Sequence, residues 1–248
     1  MTRILVPYHL DEHIPDLDIP VAADVTIADD LPPGDPWDRM AHLYDSVAAA
    51  VAADITQERR PVVMSSDCTT SLGIVAGMQS AGLEPSIVWF DGHGDVQTLE
   101  TTSSGYLGGM PLRMLTGYRP ELIADRLGIR PIDEGRVLLV DARDLDPPEA
   151  EFLASSSIRR CAVDEVAENT LPPGPIYLHV DFDVADPNDL PGLLFPAADG
   201  PGVAAVAAAI GRIAATGRVA AIGLGCTWNP GHGAGDVVRS HLDEVLDP

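Results

Sequence analysis

The chain has 248 residues, 46% of them hydrophobic, with 38 acidic against 15 basic side chains and a formal net charge of −23. That is enough apolar material for the core of one α/β domain, while the charge argues against nucleic acid and anionic membrane surfaces as partners. No apolar run reaches the length of a membrane span, and Met1–Val6 leads into a strand rather than a secretion signal, so the expected location is the cytoplasm, with Cys68, Cys161 and Cys226 too widely spaced for a disulfide framework.

Arg3–Val6 is the first predicted strand. Residues 11–36 are rich in Asp and Pro without periodicity, which reads as loop with a short strand near Ala22–Ile27. Trp37–Arg59 is an Ala-dense helix opened by Asp35 or the Pro36 turn. Pro61–Met64 is a strand ending at Ser65-Ser66-Asp67-Cys68, and Thr70–Ala81 a helix closed by Gly82. Ser86–Phe90 is a buried strand, followed by a Thr/Ser/Gly-rich loop over 98–106 and a short helix over 110–115. Arg136–Val140 is a strand, Pro147–Ser155 a helix, Ile158–Val163 a short strand and 163–169 a helical turn. Ile176–Val180 is a strand, Val203–Thr216 an Ala-rich helix, Val219–Leu224 the last strand and Asp236–Leu246 the last helix. Strands alternating with helices imply a single three-layer α/β/α domain over 1–248 with a mostly parallel sheet, and most polar clusters follow the carboxyl ends of strands, where such sheets bind ligands.

Two of those strand ends carry the chemistry. Asp91, His93 and Asp95 follow Ser86–Phe90 at alternate positions, and in extended backbone they would project to one face. Taken alone, the pattern also fits an Asp-rich polar turn. Asp181 and Asp183 follow the 176–180 strand in the same way, and buried carboxylates require pairing, hydrogen bonds or a metal. Four carboxylates and an imidazole exceed one typical zinc site and suit a two-metal centre for hard or borderline divalent ions.

These motifs resemble, in order and spacing over residues 60–230, those of the arginase-type ureohydrolases. The resemblance implies six ligands for two manganese ions, with zinc, iron or cobalt as alternatives: Asp91 and Asp181 bridging, Cys68 and Asp95 on one ion, His93 and Asp183 on the other. It implies a hydroxide between the ions as nucleophile, with Asp95 as the catalytic carboxylate. The run Asp95–Gly105 resembles the family's amino-acid loop without a gap, which implies that Gln97, Thr102 and Ser104 hold an α-carboxylate near Tyr106. Asp146, supported by Glu149, is then the acceptor for the α-ammonium. Family members usually assemble as trimers through a C-terminal tail. This chain stops about 18 residues after Pro230, so a monomer is expected.

The resemblance breaks at the reacting end. Cys68 stands in place of a histidine ligand, Gly108 in place of a proton-shuttling histidine, and Thr227 in place of a glutamate that faces the guanidinium. A thiolate adds negative charge to the centre, threonine suits a less basic side-chain end, and the space opened at Gly108 invites a relaying water. Together these departures resemble the amidinohydrolases of the family that cleave Nω-hydroxy-L-arginine to hydroxyurea and L-ornithine. The competing readings are hydrolysis of L-arginine or another guanidino amino acid, and a metal-stabilised amino-acid sensor that does not hydrolyse. His9, His13, His42, His232 and His241 read as surface or loop histidines, with His232 a candidate for the pocket mouth. His179 reads as support for a ligand, Cys161 as core, and Cys226 as adjacent to the pocket.

Overall fold

Strands and helices alternate through residues 1–246, the part of the chain that the computed structural model describes, with side chains described through Asp243. The chain opens with β1 (Thr2–Val6) and a separate antiparallel hairpin of two-residue strands, β2 (Tyr8–His9) and β3 (Glu12–His13). β4 (Val25–Thr26), β5 (Pro61–Ser65), β6 (Ser86–Asp91), β7 (Val137–Asp141), β8 (Arg159–Cys161), β9 (Ile176–Asp181) and β10 (Val219–Gly225) follow. Eight of these strands form one sheet in the order β4-β1-β5-β10-β9-β6-β7-β8. Every neighbouring pair in it is parallel, so the sheet is wholly rather than mostly so.

Seven helices cover it among the described residues: α1 (Pro36–Thr56), α2 (Ser71–Ser80), α3 (Pro111–Leu115), α4 (Ala124–Leu127), α5 (Pro147–Ser155), α6 (Val203–Ala214) and α7 (Ala234–Leu246). α1 to α5 pack on one face around Tyr44, Leu72, Trp89, Leu139 and Tyr177. α6 and α7 pack on the other around Phe90, Val140, Leu178 and Phe182. The central strands are covered on both sides, which is why β6 and β9 read as continuous apolar runs rather than alternating ones.

The helix limits have local causes. The Asp35 carboxylate accepts from Asp38 N at 3.0 Å, and Pro36 occupies the first turn, where its missing N–H costs nothing. α1 stops at Thr56, short of the expected Arg59. Glu58 turns left-handed (φ 58°), and Arg59 folds back onto the buried Asp54 carboxylate at 2.5 Å. α4 is too short to announce itself in the sequence and is closed by Gly128 in the left-handed region.

Candidate metal centre and substrate pocket

β6 and β9 are hydrogen-bonded neighbours in the middle of the sheet, paired through Phe90 and Val180, so Asp91 and Asp181 leave adjacent strand ends side by side. The residues beyond them do not continue as extended backbone, contrary to the alternating-face expectation. Each strand ends at its first aspartate, and that carboxylate bends the chain by accepting from the N–H two residues on: Asp91 Oδ1 from His93 N at 2.7 Å, Asp181 Oδ1 from Asp183 N at 3.0 Å. Phe182–Val184 is a single 3-10 turn, and Asp95 is left-handed at φ 53°. Turns, not strand pleating, bring the five side chains together. Gly92 joins the two motifs, since its N–H donates to Asp183 Oδ1 at 2.9 Å and a Cβ there would press on Asp183 O at 2.9 Å and Ala197 Cβ at 2.8 Å.

Cys68 enters from the end of β5 and donates to Asp181 Oδ2 at 3.1 Å. His93 Nδ1 lies 3.0 Å from Asp183 Oδ2 and 3.4 Å from Asp91 Oδ1. Two groups of candidate donors, Cys68/Asp91/His179 and Asp91/His93/Asp183, each fall within 4.8 Å. His179, which the sequence reading places only in a supporting role, thus stands among the donors themselves. Its Nδ1 is near Ser71 Oγ (3.2 Å) and Tyr177 Oη (3.3 Å), its ring stacks on Trp89 at 3.7 Å, and its buried Nε2 has no hydrogen-bond partner. Burial holds this imidazole neutral, its pKa lowered to about 3 against the opposing charge of Asp91.

The centre is electrostatically strained as an assembly of side chains alone. Burial and then the charge of Asp91 push Asp181 up to about 6. Burial and the neighbouring carboxylates push Asp95 and Asp183 well above the usual range. Burial and Asp181, Asp95 and Asp91 likewise raise the Cys68 thiol. Only Asp91 is held low, because hydrogen bonds and charge from His93 outweigh its burial. His93 in turn is pushed up to about 12, Asp183 and Asp91 outweighing its own desolvation. Asp95 Oδ2, like His179 Nε2, is buried without a partner. Four carboxylates, a thiol and the His93 imidazole sharing one pocket, with His179 behind them and two orphaned donor atoms in the cluster, fit divalent cations.

The surroundings hold these donors rigidly. Trp89 Nε1 donates to Asp91 Oδ2 at 3.1 Å and Thr227 Oγ1 to Asp181 Oδ1 at 2.6 Å. The Thr227 hydroxyl is therefore committed to a carboxylate of the centre, although its side chain does line the pocket. Arg143 pairs with Asp141 at the end of β7 and donates to the carbonyls of Asp183 (3.2 Å), Val184 (2.9 Å) and Ala197 (2.8 Å), which ties the Asp183 turn after β9 to the end of β7, across β6.

The pocket runs outward from this centre past Gln97, Thr102, Ser104, Tyr106, Asp146 and Glu149, so all the residues expected to contact substrate line one cavity. Gln97 Nε2 donates to Asp146 Oδ2 at 2.8 Å. Glu149 accepts from the N–H groups of Val96 and Asp146, both at 3.2 Å, which ties the start of the 95–106 loop to the N-terminus of α5. The space at Gly108 is not open: a Cβ there would overlap Cζ and Oη of Tyr106, whose ring occupies it. His9 is not a surface histidine either. It is half-buried on β2, with Nδ1 2.8 Å from Ser66 O and Nε2 3.1 Å from Tyr106 Oη. Of the other histidines, His13 and His241 are exposed and His42 is half-buried. His232 is exposed and lies against Gly192 rather than at the pocket mouth. Cys226 is buried outside the pocket, and Cys161 is half-buried at the sheet edge.

Fold and site together define an open parallel α/β domain with an acid-lined candidate cation centre at the carboxyl edge of its sheet. The Arginase family model matches residues 2–225, and the chain belongs to that family. An arginase of Bacillus subtilis (strain 168) is 31% identical over 169 residues, 63% of this chain and 57% of that protein. An arginase of Bacillus caldovelox is 30% identical over 175 residues, 65% and 58% of the two chains. The match thus spans less than two thirds of those relatives' length. The solved native structure of the Bacillus caldovelox arginase shares the fold, with a TM-score of 0.82 at 22% identity over 100% of this chain and 99% of that one.

Proposed function

We propose that the chain is a two-metal hydrolase that cleaves the N-hydroxyguanidino group of Nω-hydroxy-L-arginine to hydroxyurea and L-ornithine. Cys68, Asp91, Asp95 and Asp181, with His179 beside them, would hold one ion; Asp91, His93, Asp181 and Asp183 would hold the other. Carboxylate oxygens suit manganese, and Cys68 is the one soft donor. Bound there, the pair of ions supplies an activated water for attack on the side-chain carbon.

The observation that carries the choice of substrate is the charge at the reacting end. Every acidic side chain lining the pocket is either part of the cation cluster or already bonded. Asp67 accepts from Thr69 N and Leu10 N, Asp146 accepts from Gln97, and Glu149 accepts from backbone. Thr227 adds a hydroxyl that faces Asp181. Outside the cluster, the carboxylate nearest this end is Asp67, whose two oxygens are each engaged by a backbone N–H, so Thr227 stands at the reacting end without a free carboxylate beside it. A hydroxylated guanidine is less basic, because its oxygen withdraws electrons, and is the better match to this end. At the other end, Thr102 and Ser104 would take the α-carboxylate and Asp146 the α-ammonium.

The named activity of the relatives favours L-arginine as the competing substrate. Manganese-loaded protein assayed for ornithine on both amino acids decides between them. Ornithine from the hydroxylated substrate alone is expected, and turnover of L-arginine as fast or faster would overturn the assignment. Cys68→His is expected to keep two ions per chain while changing activity.

A further inference from the structure

The cation centre leaves unused one polar side chain of the pocket, Tyr106, and the histidine behind it. Tyr106 Oη lies 3.1 Å from His9 Nε2, and His9 Nδ1 lies 2.8 Å from the Ser66 carbonyl. A carbonyl oxygen only accepts, so His9 Nδ1 carries a hydrogen; in the neutral ring, Nε2 then accepts from the Tyr106 hydroxyl. The pair is held by ring contacts as well, stacked between His9 and Tyr106 and tilted between Tyr106 and Phe195. The Tyr106 ring centroid is 5.7 Å from that of His9 and 5.1 Å from that of Phe195. Its far end sits over Gly108, where a side chain would exclude it. The hydroxyl is thereby delivered into the pocket that Cys68 and Asp95 line. Burial and the charges of Asp67, Cys68, Asp95 and Asp181 push its pKa up, so the phenol keeps its proton at neutral pH.

The other hydroxyl and amide groups on the pocket wall are either committed as donors or held on the outer loop. Thr227 donates to Asp181, Gln97 donates to Asp146, and the Thr102 and Ser104 oxygens accept from backbone N–H groups of their own loop. Among the described residues lining the pocket, Tyr106 is the one hydroxyl backed by an imidazole outside the cation cluster.

From this geometry we infer that Tyr106 is a catalytic residue, the proton donor to the departing amine, and that His9 is the positioning residue that aims and recharges it. The inference rests on the hydrolase reading above. The oxygen of water adds to the side-chain carbon, one of its protons passing to the hydroxyimino nitrogen and the other to solvent; the bond from that carbon to the ornithine nitrogen breaks, and its electron pair stays on nitrogen. Tyr106 gives that nitrogen its hydroxyl proton. With His9 charged, both ring nitrogens donate; Nε2–H then points at Tyr106 Oη, turns the phenol hydrogen toward the pocket, and replaces it once it has left. His9 regains a proton from solvent, so the step consumes one water and no other reactant.

Tyr106→Phe removes only the oxygen and keeps the ring between His9 and Phe195. His9→Asn keeps a donor for Ser66 O and removes the partner of Tyr106. Both variants and the parent, loaded with manganese, are assayed for ornithine on Nω-hydroxy-L-arginine and L-arginine, with metal content and thermal midpoint measured beside them. Tyr106→Phe is expected to lower kcat by about 100-fold with KM within about threefold, and His9→Asn to lower kcat by roughly tenfold, with two ions retained in both. A Tyr106→Phe kcat within about twofold of the parent, or a loss confined to KM, overturns the inference in favour of a substrate-binding tyrosine. His9→Asn with unchanged kcat removes His9 from it. A parent that hydrolyses neither amino acid sinks the hydrolase reading itself, a result distinct from an active parent with an equally active Tyr106→Phe.

Discussion

At the inner end of the pocket Asp91, Asp181 and Asp183 are 1 to 3% exposed and spring from adjacent strand ends, each fixed by at least one backbone or side-chain hydrogen bond. At the outer end Thr102 is half-buried and Ser104 exposed, on a loop that closes on itself: Thr98 N donates to Thr101 Oγ1 (2.9 Å), Gly105 N to Thr102 Oγ1 (3.1 Å) and Tyr106 N to Ser104 Oγ (3.2 Å). The contrast is one of electrostatic sufficiency. The outer loop satisfies its own polar groups before any ligand arrives. The inner cluster does not: it leaves Asp95 Oδ2 unpartnered and sets like charges against each other. If the inner end holds cations as proposed, its stability is coupled to them and that of the outer end to substrate alone, and the two should fail separately.

The sharpest way to break that separation is Asp181→Ala. Asp181 accepts from Cys68, Thr227 and Asp183 N, and it lies beside the other carboxylates. Its loss is expected to release both ions and to lower activity by about 10³-fold or more, since metal and nucleophile go together. The parent's thermal midpoint should rise on metal loading, because an ion that binds only the folded chain stabilises it. In Asp181→Ala that rise should vanish. Metal analysis together with melting in the presence and absence of a chelator checks both parts, and a variant that keeps two ions and full activity would dismiss the two-metal centre.

A smaller effect separates the two ends by pH. Asp181 has a folded pKa of about 6 against an ordinary 3.8, so the unfolded chain gives up its proton first and stability falls as pH rises from 3.8 through about 6. His93, raised to about 12 from 6.5, contributes stability that is complete below 6.5 and is lost progressively above it. Asp95 and Asp183, also raised, run the same way, and His179, lowered to about 3, runs against them between pH 5 and 6.5; on balance metal-free protein should melt lower at pH 8 than at pH 5. Metal loading reverses the trend, because cations displace those protons and bind better as pH rises. Melting curves of chelated and loaded protein at the two pH values test this. Parallel shifts in both forms would mean that the inner cluster is not what titrates.

How far the sequence reveals this arrangement depends on what each residue's neighbours do. Strand–helix alternation and the positions of Asp91 and Asp181 are legible because a strand covered on both faces leaves a continuous apolar run with an abrupt polar end. The turns that follow are not, since alternation at i and i+2 also fits extended chain, and the capping hydrogen bonds of Asp91 and Asp181 decide otherwise. His9 is hidden for another reason: it lies in a two-residue strand without periodicity, and its partners Ser66 and Tyr106 are far along the chain. Gly108 reads as a vacancy only while Tyr106, two residues earlier, is imagined pointing elsewhere. His179 shares the parity of Asp181, a signal that places it on the right face without revealing that its Nε2 is left unpartnered.

The mildest test addresses the outer end alone. Ser104 is exposed, and its hydroxyl accepts from Tyr106 N at 3.2 Å and lies 3.5 Å from Thr102 Oγ1, so it is poised to donate outward to a carboxylate without being needed by the core. Ser104→Ala removes one hydrogen bond to a charged group, which is worth about 1.5 to 3 kcal/mol, but solvent exposure brings the expected loss toward about 1 kcal/mol. That corresponds to roughly a fivefold rise in KM, with kcat, metal content and melting temperature unchanged, because an interaction made equally with substrate and transition state alters only binding. A substrate analogue lacking the α-carboxylate should erase the difference between parent and variant. If Ser104→Ala instead lowers kcat or sheds metal, the two ends of the pocket are mechanically joined through the 95–106 loop, and the division between a cation-dependent interior and a self-sufficient rim does not hold.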